Sequence, residues 1–267
     1  MTSRQHRELL ATAVAAAVKA TDVIRRRSAD RASLEWRSKA AADFVSDVDV
    51  AAEEAIRDVI SARHADAVLI GEELTPENAA GAGLAFVVDP LDGTTNFLHG
   101  YPWYAVSIGV VADGKLAAGV VLNVATGELF TATVGGGARR NGESIVVSPI
   151  DDPSRALIGT GFPFKQLDRL DEYQRQFAAV TRATSGIRRA GAAALDLADV
   201  ACGRFEAFWE LGLAPWDVAA GILLVREAGG VVTDLDGLPA GIRQGPIVAG
   251  AASMHAWLLR VLQKAGP

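Results

Sequence analysis

The chain is nearly devoid of cysteine. Cys202 is its only one, which excludes an internal disulfide framework and a cysteine-based zinc site. There is no basic excess: 26 Lys and Arg stand against 32 Asp and Glu, a formal charge of −6, so nothing offers the phosphate neutralisation that nucleic acid demands of a partner. No apolar run approaches the ~18–20 residues of a membrane span. Neither the low hydrophobicity nor the high charge of a disordered chain is present, since 50% of residues are hydrophobic and 22% charged. What remains is 267 residues with enough apolar material for a sizeable core, as one large domain or two small ones.

Arg4 and Arg7 precede an apolar stretch, Leu9–Val18, in the manner of a signal peptide. Half of that stretch is alanine, however, and Leu10, Val14, Val18 and Val23 continue a helical spacing, so residues 5–27 are expected to form the first helix of a cytoplasmic protein. Residues 28–42 lose periodicity and read as a loop. Asp47–Arg63 reads as a helix capped by Ser46 or Asp47. Strands are expected at Ala67–Ile70, Leu84–Val88, Tyr104–Ala112, Leu116–Val124 and Glu128–Val134, with hairpin turns at Asp113-Gly114 and Asn141-Gly142. The Pro- and Asp-rich run Ser148–Ser154 is the best seam, giving expected halves of 1–148 and 149–267 within one compact unit. Beyond it come a strand at Leu157–Gly159, helices at Arg169–Thr184, Ala193–Ala201 and Asp217–Ala228, a strand at Val231–Asp234 and a helix at Met254–Gln263. Strand runs mixed with helices predict a layered α/β or α+β fold.

The chemistry concentrates in Val88-Asp89-Pro90-Leu91-Asp92-Gly93-Thr94-Thr95-Asn96-Phe97. An apolar strand delivers two carboxylates three residues apart, with Pro90 stiffening the backbone between them. Gly93 permits a tight turn, and Thr94 or Thr95 can start a helix. Such a turn directs Asp89, Asp92 and the Leu91 carbonyl at a common cation and helix N–H groups at an anion. Oxygen ligands without His or Cys select Mg²⁺ or Mn²⁺ over Zn²⁺. Asp-Pro-x-Asp-Gly is also an ordinary turn, so other segments decide. Gly71-Glu72-Glu73 ends a second predicted strand and can bring Glu72 to the first two carboxylates. Asp43, Asp47 and Asp49 crowd one helix start, more than capping requires. Asp217 opens another helix, where a carboxylate also suits the helix dipole.

Together these segments resemble the inositol monophosphatase family, Mg²⁺-dependent and Li⁺-sensitive phosphatases related to fructose-1,6-bisphosphatase. Asp89–Phe97 (DPLDGTTNF) matches one family signature and Trp216–Gly230 (WDVAAGILLVREAGG) the other, in order and at the right separation. The upstream Asp-x-Val-Thr-x-x-Asp element appears as Asp43–Asp49, with Ser46 where Thr is usual. Lesser matches are Gly136-Gly137-Ala138 with Asn141-Gly142, Thr160–Phe164, and Arg188–Ala194, so the likeness covers about residues 43–250. It implies a five-layered αβαβα sandwich and a homodimer. It also implies two to three Mg²⁺ ions, with Mn²⁺ as a substitute. Glu72, Asp89 and the Leu91 carbonyl would hold the first, Asp89, Asp92 and Asp217 the second, and a weaker third would sit near Glu72. Asp49 and Thr94 would orient and help deprotonate the attacking water, with Glu72 completing the catalytic set. The Gly93 and Thr94 N–H groups would bind the phosphate, and Asp92, Thr95 and Asp217 would also contact the substrate. Gly191, Ala193 and Glu210 would meet its alcohol half, Glu210 accepting from vicinal hydroxyls of a phosphorylated polyol.

The implied activity is hydrolysis of myo-inositol monophosphate by direct attack of water. Fructose-1,6-bisphosphate, histidinol phosphate or a 3′-phosphonucleotide are alternative substrates of the same chemistry, and a regulatory protein-binding role in RNA metabolism is the alternative of another kind. Other features carry less. His64 and His99 are expected to be structural or exposed, and Cys202 a small buried apolar residue. Arg188-Arg189 reads as a solvated or interface pair rather than a second phosphate site. Trp103 could reshape the mouth of the site. Lys39 resembles the lysine of the family's mobile metal-3 loop, but its offset to Asp43 differs by one residue from the animal pattern. Asp49, Glu72, Asp89, Asp92 and Asp217 account for five of the six excess negative charges, so the acidity is local.

Overall fold

The protein is represented by a computed structural model that describes residues 1–28, 36–40, 43–74 and 83–266, with the backbone alone for 37–40 and 43–45. Its first element, α1 (Ser3–Ser28), buries Leu9, Thr12, Ala13, Ala16, Ala17, Ala20, Thr21 and Ile24. That i, i+3, i+4 stripe of mostly small side chains packs on α2 (Asp47–Arg63) and on a sheet, so the charge-led apolar opening is a packed helix. Between them lie β1 (Arg37–Ala40), within the segment 28–42 read as a loop, and β2 (Asp43–Val45), which follows it; they form an antiparallel pair, and strands of four and three residues are too short for periodicity to register.

The larger sheet has the order β3 (Val68–Gly71), β4 (Leu84–Asp92), β5 (Ala105–Ala112), β6 (Lys115–Asn123), β7 (Leu129–Thr133), β8 (Gly137–Arg140) and β9 (Glu143–Ile145). Only β3 and β4 run parallel. A short helix, α3 (Thr94–His99), follows β4. Both expected hairpin turns occur, with Asp113 at φ 50° and Asn141 at φ 52°, each followed by a glycine in the same left-handed region.

The smaller sheet is built from β10 (Leu157–Thr160), β11 (Gly186–Arg188), β12 (Ala207–Leu213), β13 (Val231–Thr233) and β14 (Gly245–Gly250), in the order β11-β10-β12-β14-β13. The strands β11, β12 and β14 escaped the sequence reading: two are short or glycine-bounded, and in β12 the polar Glu210 interrupts the apolar run. Helices α4 (Leu170–Thr181) and α7 (Ala252–Ala265) cover its outer face. Helices α5 (Ala193–Ala201) and α6 (Pro215–Glu227) lie between the two sheets, buried on nearly all sides.

The layers are therefore α1/α2, large sheet, α5/α6, small sheet, α4/α7, the expected αβαβα sandwich. The inner packing is close. A Cβ at Gly109 of β5 would meet the α6 backbone at Ala219 and Ala220 3.1 Å away, and one at Gly119 of β6 would meet the Ala220 carbonyl oxygen at 3.1 Å. Glycine at these two points lets α6 lie directly on the sheet, which fixes where its first turn falls.

Candidate active site

Alternation along β4 sends Phe86 and Val88 toward α1 and α2, and Ala85 and Val87 toward α6. The ladder with β5 then breaks register between Asp89 and Asp92. This irregularity, with Pro90 inside it, turns both carboxylates into one pocket. Gly93 follows at φ 90°, a conformation that side-chain-bearing residues rarely adopt, and reverses the chain into α3.

The pocket has a volume of about 300 Å³. Glu72, Asp89, Leu91, Asp92, Gly93, Thr94 and Thr95 line it from the large sheet; Gly191, Ala193, Glu210 and Asp217 line it from α5, β12 and α6. The residues expected to bind metal, substrate or water thus meet at one place except Asp49, which lies behind the wall, 1% exposed, and reaches it through Thr94. The Thr94 hydroxyl lies 2.9 Å from Asp49 Oδ1 and 3.1 Å from the Leu91 carbonyl oxygen. With one proton it donates to one of them at a time.

Asp49, Asp89, Asp92 and Asp217 are each anchored by hydrogen bonds. Asp49 Oδ2 accepts from the Ser46 N–H and hydroxyl in a capping box. Asp89 Oδ1 accepts from the Leu91 N–H at 3.0 Å, and Asp217 Oδ2 from the Ala214 N–H at 2.7 Å. Asp92 Oδ2 accepts from the Ala194 N–H at 2.8 Å, which ties the end of β4 to the start of α5. Lys165 Nζ stands 4.0 Å from Glu72 Oε1. Asn96 Nδ2 donates to the Trp103 and Ala190 carbonyls, holding the loop that presents Gly191.

The electrostatics are those of crowded anions. Burial, then Glu72, Asp92 and Asp217, holds Asp89 well above the usual carboxylate range. Burial and then Asp217 do the same to Asp92. Burial raises Asp49 against its hydrogen bonds from Ser46 and Thr94. Burial and then Asp217 push Glu210 up to about 8, while Arg189 and Lys165 pull it down. A cation beside such a set would offset the mutual repulsion and favour its charged form. Its donors are all oxygen, which suits a hard ion. Among the described residues, no three acidic, His or Cys side chains converge closely enough to enclose an ion unaided.

Some residues fall elsewhere than expected. Of Asp47 and Asp49 at the helix start, only Asp49 turns inward, while Asp47 pairs with Arg27 at 3.2 Å; the side chains of Asp43 and Lys39 lie outside the described residues. Arg188-Arg189 is not a single unit. Arg188 turns back on the Ile187 carbonyl, whereas Arg189 lies over the rings of Phe162 and Phe164, 5.2 and 5.1 Å from their centroids, and lines the pocket. Trp103 packs into the core between the sheets instead of lining the pocket. His64 contacts the Thr12 hydroxyl, and His99 packs edge-on to Trp36. The sequence reading missed Asp196, a pocket-lining carboxylate 1% exposed whose Oδ1 has no hydrogen-bond partner. Its signal was a pair of aspartates, Asp196 and Asp199, in a helix whose other residues are all apolar.

Comparison with known proteins agrees with this geometry. The model of the inositol monophosphatase family matches residues 5–266. The chain is 47% identical over 229 residues, 84% of each chain, to a Pseudomonas aeruginosa protein named Nus factor SuhB. It is 40% identical to an inositol-1-monophosphatase of Rhizobium meliloti, covering 97% of both. Among solved structures, the extragenic suppressor protein SuhB from Bartonella henselae superposes with a TM-score of 0.92 at 42% identity, covering 96% of this chain and 99% of that one.

Proposed function

Since the chain belongs to the inositol monophosphatase family, we propose that it is a Mg²⁺-dependent phosphomonoesterase acting on a phosphorylated polyol, with myo-inositol monophosphate its substrate. The observation that carries this reading is the gathering of Glu72, Asp89, Asp92 and Asp217 around one pocket, beside a hydroxyl already bonded to a buried carboxylate. Glu72, Asp89 and the Leu91 carbonyl would hold one ion, Asp89, Asp92 and Asp217 a second, and a third would bind near Glu72. Once bound, Mg²⁺ supplies a Lewis acid that lowers the pKa of water and neutralises phosphate charge.

The chain's own groups do the rest. The Thr94 hydroxyl oxygen accepts a hydrogen bond from the attacking water and relays its proton toward Asp49 Oδ1. The raised proton affinity of Asp49 suits it to that task. The Gly93 and Thr94 N–H groups donate to the phosphate. Gly191 and Ala193 leave room for the alcohol half, and Glu210 accepts from its hydroxyls. Nothing here requires a phosphoenzyme.

The test is kcat/KM, with Mg²⁺ present, over inositol, fructose, histidinol and 3′-nucleotide phosphates. Inositol-1-phosphate should rank first, with activity inhibited by Li⁺ and abolished by excess EDTA. A higher kcat/KM for another phosphate would replace the substrate, and undiminished activity in EDTA would overturn the metal assignment. A cytoplasmic homodimer accompanies the reading and is checked by light scattering. A second reading, a protein-binding role in RNA metabolism, is favoured by the Nus factor name of the Pseudomonas relative. It predicts a stable protein complex that persists when Asp92 is replaced and turnover is lost.

A further inference from the structure

The mechanism above uses one buried carboxylate of α2 and leaves another unexplained. Glu53 lies one helical turn after Asp49, on the same face, and is 0% exposed. Its two oxygens are both engaged by the chain that leaves β3. Oε2 accepts from the Glu73 N–H at 2.8 Å and Oε1 from the Leu74 N–H at 3.1 Å. Two successive amides on one carboxylate fix both its position and its plane. Glu72 is the residue immediately before that pair, and its own N–H donates to the Val88 carbonyl at 3.3 Å. Its backbone is therefore pinned to β4 on one side and to Glu53 on the other.

Gly71 shows how closely Glu53 approaches. A Cβ there would collide with the Glu53 carboxylate, so glycine at the end of β3 makes the space that the carboxylate occupies. On the same helix face, Asp49 reaches Thr94 at the end of β4. One rigid helix thus holds both strand ends through two carboxylates four residues apart, and its pitch sets their relative height.

We propose that Glu53 is a positioning residue: it fixes the height of Glu72 at the pocket wall, so that Glu72 can share a cation with Asp89. The inference rests on the reading of Glu72 as a metal ligand, and it assigns Glu53 no contact with substrate or ion.

The test is Mn²⁺ binding by calorimetry to the full chain, alongside the melting temperature of the metal-free protein. The variants are Glu53→Gln, Gly71→Ala, Glu72→Gln and the Glu53→Gln/Glu72→Gln double. Glu53→Gln should weaken Mn²⁺ binding by about 10–100-fold, the usual effect of removing an outer partner of a metal ligand. It should also raise the Mg²⁺ concentration at half-maximal rate by more than it lowers the rate at saturating Mg²⁺. Gly71→Ala leaves the carboxylate in place but pushes it off the two amides, so it should weaken binding in the same way and carries the test if Glu53→Gln fails to fold. In the double variant, loss of Glu53 should add nothing to the loss of Glu72. Binding as tight as wild type in both Glu53→Gln and Gly71→Ala, or full additivity in the double, would overturn the positioning role. Failure of the underlying ligand assignment would show separately, as wild-type binding by Glu72→Gln itself, and would remove the proposal with it.

Discussion

The two walls of the pocket are built differently. The wall from the large sheet is made of short side chains on a strand end and a turn: Asp89, Asp92, Gly93 and Thr94. Asp89 and Asp92 each have one oxygen tied to a backbone amide, Thr94 is bonded to the buried Asp49, and Asp49 backs the wall at 1% exposure. The wall from the small sheet carries long or exposed groups on loops: Phe162 at 37% exposure, Phe164 at 44%, Lys165 and Arg189, with Glu210 behind them. Short, tethered groups can be held to the tolerance that proton transfer and metal binding require. Long groups on loops can adapt to the shape of an alcohol. Under the proposed function, the difference assigns the bond-breaking step and the choice of substrate to opposite sides of one cavity.

That division can be broken by experiment. The largest effect should come from the tethered wall. Asp92→Asn removes the charge of a proposed metal ligand, so turnover should fall beyond the about 10²–10⁴-fold of losing a proton-transfer group, for every substrate alike; phosphate release measures it. A loss confined to one substrate would dissolve the distinction. Glu210→Gln, on the adaptable wall, should lower kcat/KM by about 10–100-fold, mostly through KM and most strongly for polyols. The same variant should stabilise the metal-free protein. Glu210 has its ordinary value when unfolded and about 8 when folded, so its favourable contribution is complete below about 4.5 and is lost as pH rises to 8. The gap in melting temperature between Glu210→Gln and wild type should therefore open across that window. Mg²⁺ at a hundred times its Kd should raise the melting temperature by about 5–10 °C, and this shift should vanish in Asp92→Asn. The smallest effect should come from Arg189→Lys, which keeps the charge but loses the flat face stacked on Phe162 and Phe164. A change of about 2–5-fold in KM with kcat unchanged is expected.

How far the sequence spoke follows the same division. Asp89, Asp92, Gly93 and Thr94 lie within six residues, a spacing that fits an ordinary turn as well as one facing a cation, and Glu72, Asp49 and Asp217 were needed to decide between them. The turns at Asp113-Gly114 and Asn141-Gly142 were equally local. Arg189 was not legible as a pocket residue, because its place depends on rings 25 and 27 residues away that a loop brings beneath it. Asp196 looked like one more residue of an apolar helix, and only packing sets its carboxylate beside Glu210 and Asp92. Glu53 reads from sequence as an ordinary helical glutamate. Its partners are main-chain amides, which carry no side-chain signature. β12 hid for a related reason, since the residue that makes it functional, Glu210, breaks the apolar pattern that would have announced a strand.

The close contact of α6 with Gly109 and Gly119 has a consequence for how the site tolerates change. The helices between the sheets act as a spacer, and their thickness, rather than any lining residue, sets the gap between the walls. A methyl group added at Gly119 meets the α6 backbone, which cannot yield as a side chain does. The helix must give by a few tenths of an ångström, a shift carried toward Asp217 at its first turn while every pocket residue keeps its identity. Calibration of the cavity therefore resides in positions that contain no functional group at all.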